Sequence, residues 1–267
     1  MAIPTSTTHL ALAFALVAAL GACGGGSSDS TATAPSPAPS PEPAPSPSSP
    51  DPLLGQQWHL FNTGQSGGLA GSDLGLGTLA ERGSGVTVAV VDGAVQIGHP
   101  DLQGNVLAGR SYSYTDRGTD PSPAPASSGQ AFDDDAGGPD DAHGTAVAGI
   151  LAATADNGVG GRGVAPKAQL IAFNPLVMST DVNMADAMAR AWQGGAAVVN
   201  NSWGPPDPSS GGTGSFYRSS SVWQQAVLQG ATQGRGGLGT VYLIAAGNGA
   251  ATGDDSNRDG YANFRGV

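Results

Sequence analysis

The chain has 267 residues, 39% of them hydrophobic, with 43 glycines, only 12% charged and a formal net charge of -11. This acidity argues against nucleic acid as a partner, because no basic patch is available to neutralise phosphates, and it suits metal ions or basic peptide. A lone cysteine, Cys23, excludes an intrachain disulfide.

Residues 10–20, LALAFALVAAL, are too short an apolar run to span a bilayer and have the length of a signal-peptide core. LGAC follows at 20–23 and resembles the bacterial lipoprotein signal. That resemblance implies a signal peptide over 1–22, acyl chains on Cys23 and a place in the cell envelope, lipid-anchored at the outer membrane or cell surface; a plain secretory signal is the alternative. Residues 23–50, rich in Gly, Ser and then alternating Pro, read as an extended tether that cannot bury a core. The remaining 51–267 suits one domain.

Within that domain, GVTVAVVDGA (85–94) reads as a buried strand ending at Asp92. DAHGTAVAGILAATADNG (141–158) reads as a helix opening near His143, with Gly149 allowing close packing and DNG ending it. AQLIAF (168–173) is a strand, and DVNMADAMARAWQGG (181–195) a helix with Gly at its end. AAVVNNSWG (196–204) is a strand leading into a Trp-Gly turn, SVWQQAVLQGATQGRGG (221–237) a helix, and TVYLIAAGNG (240–249) a strand with Asn248 at its tip. Strand and helix alternate at short intervals, which predicts an α/β fold with a mostly parallel sheet flanked by helices. Ligands meet such sheets at the carboxyl ends of strands, where Asp92, the Asn200–Trp203 stretch and Asn248 fall.

An aspartate closing VTVAVV is costly to bury without a partner. It is read either as a turn former or as the orienter of a histidine. Of His9, His59, His99 and His143, the last sits at a helix start among small neighbours and is the best candidate.

The ordered motifs DPLLGQQWHL, GHPDLQGN, HGTAVAG, DNGVGGRGVA, NSWGPPD, TQGRGGLGTVYLIAAGNG and SNRDGYAN run from Asp51 to Asn263 and resemble the subtilisin-like serine peptidases, with the kexin and furin branch the nearer match. The resemblance implies that Asp92 orients the imidazole, His143 is the general base and then acid, and Asn248 donates to an oxyanion. It implies peptide-binding positions at Ser202, Trp203, Gly204, Asp207, Asp259 and Tyr261, with Asp259 at the base of the first specificity pocket. Carboxylates there select a cationic side chain, Arg over Lys, in a protein or peptide substrate. It further implies calcium at two sites. Asp207 and Asp254 would hold one ion. Asp51, Asp101 and Asn157 would hold the other with carbonyls of Thr154, Val159 and Gly161, an all-oxygen set suited to Ca2+.

Two departures qualify the resemblance. Gly93 and Ala189 stand where acidic residues are expected, which points to a single basic residue rather than a multibasic motif, although Asp140 keeps one acid nearby. No Gly-Thr-Ser occurs, so the reading is an N-terminal part of the peptidase domain, without its nucleophile, inactive alone and with one side of its core exposed. A calcium- or peptide-binding surface lipoprotein that does no chemistry is the alternative.

Overall fold

The computed structural model describes residues 50–76, 79, 81–123, 142–206 and 216–267. Cys23, the leader, most of the tether, Asp140 and Asp207 lie outside the described residues.

Four strands form one parallel sheet. They are β1 (Thr87–Val91), β2 (Gln169–Phe173), β3 (Val198–Asn201) and β4 (Val241–Ile244), in the order β2-β1-β3-β4. Parallel strands need crossovers, and the helices supply them: α1 (His143–Ala152), α2 (Asp181–Gln193) and α3 (Ser221–Gly237). The near-continuous apolar run of β1 reflects burial on both faces. Ala89 and Val91 point into one core with Phe173, Met188, Trp223 and Val227, on the side of α2 and α3. Val90 points to the other with Leu170, Ala172 and Ala148, under α1.

Sequence reading located all seven elements, with ends shifted by a few residues. Thr180 and Ser220 cap α2 and α3, their hydroxyls accepting from the Asn183 and Trp223 amides. α1 closes at Ala152, ahead of the DNG turn. Near the end of α3 the backbone leaves helical geometry over Gly234, Arg235 and Gly236. β4 stops at Ile244, so Asn248 is not at a strand tip. It lies in the loop beyond and precedes a 3-10 turn, Gly249–Thr252.

β4 is the last strand of the sheet among the described residues. Tyr242 and Ile244 face α2 and α3, while Val241 and Leu243 alternate to the other face and stay about half exposed, at 50% and 48%.

Candidate active site

Asp92 follows β1 directly and is fully buried, and its amide donates to the Phe173 carbonyl. Its Oδ1 accepts from the Gly93 amide at 2.7 Å and lies 2.7 Å from His143 Nδ1. The imidazole itself is 40% exposed. A buried carboxylate on one ring nitrogen fixes the tautomer and leaves the other nitrogen toward solvent.

The residues after His143 explain how α1 comes so close. A Cβ on Gly144 would stand 2.9 Å from Ala94 O, Asp92 Cβ and Val95 Cγ2. Thr145 Oγ1 accepts from the Gln96 amide at 2.9 Å and ties the first turn of α1 to the loop after β1. This tie stands in for a capping side chain, which Ala142 lacks. The close packing anticipated at Gly149 is absent, since a Cβ there would meet nothing within 4 Å. Gly144→Ala is therefore expected to cost about 1–3 kcal/mol by overpacking and to displace His143. Gly149→Ala is expected to gain up to about 1 kcal/mol of helix propensity. Denaturant melts of the two variants check both signs.

Because the sheet is parallel, the loops after β1, β3 and β4 share one rim, and these carry Asp92, Ser202–Gly204 and Asn248. Ser202 Oγ accepts from Asn200 Nδ2 at 2.8 Å. Trp203 donates its indole N–H to Val91 O at 2.9 Å, and its ring meets Tyr261 edge-on at 5.1 Å. The indole thus pins the β3 loop to the residue before Asp92, a role that no sequence pattern announces. No backbone hydrogen bond reaches Ser202, Trp203 or Gly204 among the described residues.

Asp259 lies beneath that loop, with Gly204 close enough that a Cβ would sit 3.3 Å from its Oδ2. It is buried, and its Oδ1 accepts from the Tyr261 amide at 2.7 Å. Burial raises its carboxyl above the ordinary value, and the charge of Asp254 adds to the rise. Tyr261 is buried between Trp203, Tyr217 and Trp223, and desolvation pushes its phenol up to about 12. Asp254 is half-buried and accepts from the Asp255 amide; its expected co-ligand Asp207 is outside the described residues.

The second oxygen-rich cluster comes together as expected. Asp51 accepts from the Asp156 and Asn157 amides, at 3.0 and 3.1 Å. Asp101 accepts from Asn157 Nδ2 at 2.9 Å and the Gly161 amide at 3.3 Å. Val159 donates its amide to Asn157 Oδ1, and Thr154 donates its amide to Asp101 O. Both carboxylates are buried, neither has a cationic side chain beside it among the described residues, and the buried Thr154 hydroxyl has no hydrogen-bond partner there. The chain turns in left-handed geometry at Asp156, Gly158 and Gly160, where a Cβ on Gly160 would strike Asp101 Oδ2. No three His, Cys, Asp or Glu gather anywhere among the described residues, so an ion at Asp51 and Asp101 would draw the rest of its shell from amide and carbonyl oxygens.

Sequence reading missed Gln57. Its amide donates to the Arg162 carbonyl and accepts from the Arg162 amide, both at 2.9 Å, lacing the leading segment to the loop after α1.

A parallel sheet that holds Asp, then His, then Asn in chain order at one rim describes a subtilisin-like hydrolase fold. The subtilase family profile (Peptidase_S8) matches residues 83–263, and the chain belongs to that family. Neuroendocrine convertase 2 of Mus musculus is 36% identical over 217 residues, covering 79% of this chain and 32% of that protein. The crystal structure of the Aeromonas sobria serine protease with its chaperone matches at TM-score 0.57 and 35% identity, covering 75% of this chain and 32% of that one. A protease of Pseudoalteromonas arctica matches at TM-score 0.53 and 28% identity, over 75% of this chain and 59% of that one. The chain thus spans about a third of the length of the convertases it matches.

Proposed function

We propose that residues 51–267 contribute the base, its orienter and an oxyanion donor to a calcium-dependent serine endopeptidase that cleaves after Arg, and less well after Lys. The carrying observation is the 2.7 Å contact between buried Asp92 and half-exposed His143. With Asp92 holding the proton on Nδ1, Nε2 is the nitrogen that would take a serine proton and return it to the leaving amine. Asn248 would donate its amide to the developing oxyanion. The serine itself would come from a Gly-Thr-Ser context that the 267 residues lack.

The backbone of Ser202–Gly204, which makes no backbone hydrogen bond among the described residues, suits an extended peptide adding as a strand beside β3. Asp259, buried beneath that loop, suits a guanidinium under the peptide. With Gly93 and Ala189 in place of acids, one basic residue is the recognition element. The test is cleavage of Arg-, Lys- and Gln-containing peptides by a polypeptide extended to include the serine, with the 267-residue chain alongside. Cleavage after Arg by the extended form alone is expected; equal turnover of Gln peptides would refute the specificity.

Asp51, Asp101, Asn157 and the loop around them fit calcium by donor chemistry. When bound, the ion neutralises two buried carboxylates and fixes the start of the domain against the loop after α1. At a hundred times its Kd, calcium is expected to add about 2.7 kcal/mol. That corresponds to roughly 5–10 °C in Tm for a domain of this size. Asp101→Asn should shrink the difference between melts in calcium and in chelator, and an undiminished difference would refute the site. Asp207 and Asp254 are the proposed start of a second site.

Cys23 is proposed to carry acyl chains that hold the enzyme at the cell envelope. Loss of lipid labelling in Cys23→Ser checks this.

A further inference from the structure

The sequence reading found no basic patch, but the end of the sheet opposite Asp92 gathers three cations that are dispersed along the chain. The chain has 10 Lys and Arg against 21 Asp and Glu. Even so, Arg82, Arg162 and Lys167 meet at two adjoining clefts there. Arg82 and Arg162 line one, of roughly 250 Å³, and Arg82 and Lys167 line the next, of roughly 350 Å³. Arg82 precedes β1 and Lys167 precedes β2, and the Lys167 amide donates to Arg82 O at 2.8 Å. Glu81 is the one acid lining either cleft. Among the described residues none of the three cations has an ion-pair partner, and the buried Arg162 Nε has no hydrogen-bond partner.

The first cleft is also amphipathic. Phe61 and Leu79 form part of its wall and are 62% and 53% exposed. Gln57 holds the Arg162 backbone through both its N–H and its carbonyl. Guanidinium groups pair with phosphate oxygens, and exposed Phe and Leu beside them suit acyl chains. For a protein of net charge -11, attraction to an anionic surface has to come from a local group of cations such as this one. The domain also begins on this side. Leu53 bonds to Gly160 O at 2.8 Å, two residues from Arg162, and the tether leads directly into this segment.

We propose that this rim docks on an anionic lipid surface, a phosphate headgroup entering between Arg82 and Arg162 with Phe61 and Leu79 at the acyl boundary. Docked so, the catalytic rim at the other end of the strands faces away from the membrane. The proposal does not require acylation of Cys23 or any peptidase activity.

The test uses residues 24–267, which keep every described residue and lack both the apolar leader and Cys23. Co-sedimentation is compared on vesicles of phosphatidylcholine with and without phosphatidylglycerol. Binding is expected only with phosphatidylglycerol, and it should weaken with added salt. R82Q/R162Q is expected to bind about 25-fold more weakly, at about five-fold per cation. E81Q is expected to bind more tightly to the phosphatidylglycerol vesicles alone, whereas misfolding would raise binding to neutral vesicles as well. Equal binding to neutral vesicles, no binding to either, or an unchanged affinity in the arginine double variant would overturn the proposal. So would inorganic phosphate competing fully with the vesicles, which would place a soluble anion in the cleft instead.

Discussion

Asp92→Asn is expected to lower kcat by about 10⁴-fold in the serine-bearing polypeptide, with KM little changed. The substitution keeps the shape of a fully buried side chain, so packing survives. It changes which atom on the ring carries the proton. An Asn amide can donate to His143 Nδ1, which drives the proton to Nε2 and leaves nothing to accept from a serine hydroxyl. The effect therefore falls on the chemical step rather than on peptide binding. Single-turnover kinetics together with a melting curve check it. A loss smaller than about ten-fold would mean that Asp92 only shapes the turn and that another group orients the imidazole.

The second large effect lies at Asp259. Asp259→Asn is expected to reduce kcat/KM for Arg peptides by about 10²–10³-fold while leaving Gln peptides almost unchanged, because the guanidinium then enters a pocket with no charge to meet it. Its effect on stability has the opposite sign. Burial raises this carboxyl above its reference of 3.8, so in the free protein the ionised form is the disfavoured one. A group with a raised folded-state carboxyl pKa contributes stability that is fully present below 3.8 and lost as pH rises through the folded value. The Asn variant should thus melt no lower than the parent at neutral pH, and any gain should shrink on acidification. Arg binding reverses the balance, since a bound guanidinium stabilises the carboxylate. The preference for Arg over Gln should accordingly weaken with falling pH sooner than an ordinary aspartate would allow. A parent preference that is flat with pH down to 3.8 would point to a different selecting group.

The regular elements were legible because their signals are local. β1 is a run of β-branched and small residues bounded by Gly85 and Asp92, and α2 and α3 begin at Thr180 and Ser220, which are capping residue types. The pairing of Asp92 with His143 was legible as well, through the order of motifs. The supports of the site were not. The Trp203 indole reaching Val91 O, the Thr145 hydroxyl holding Gln96, and the Gln57 amide clasping Arg162 all join residues distant in sequence whose types fit many roles. Gly144 and Gly149 look alike in the sequence, yet only the first meets neighbours, because α1 touches β1 at its opening turn. Asn248 was assigned to a strand end because its apolar run continues to Ala246. Strand pairing ends two residues earlier, at Ile244, and Ala245 donates the last bond, to Asn201 O.

α1 is ten residues long, or about 15 Å. Its first residue is the imidazole, and just past its last the chain meets Asp101 through Thr154. With calcium bound at Asp101 as proposed, α1 joins the base at one tip to the ion's loop at the other and would transmit tilt between them. Loss of the ion would then show first as a mis-aimed base, before any unfolding, and storage in chelator would damage turnover earlier than it lowers the melting point.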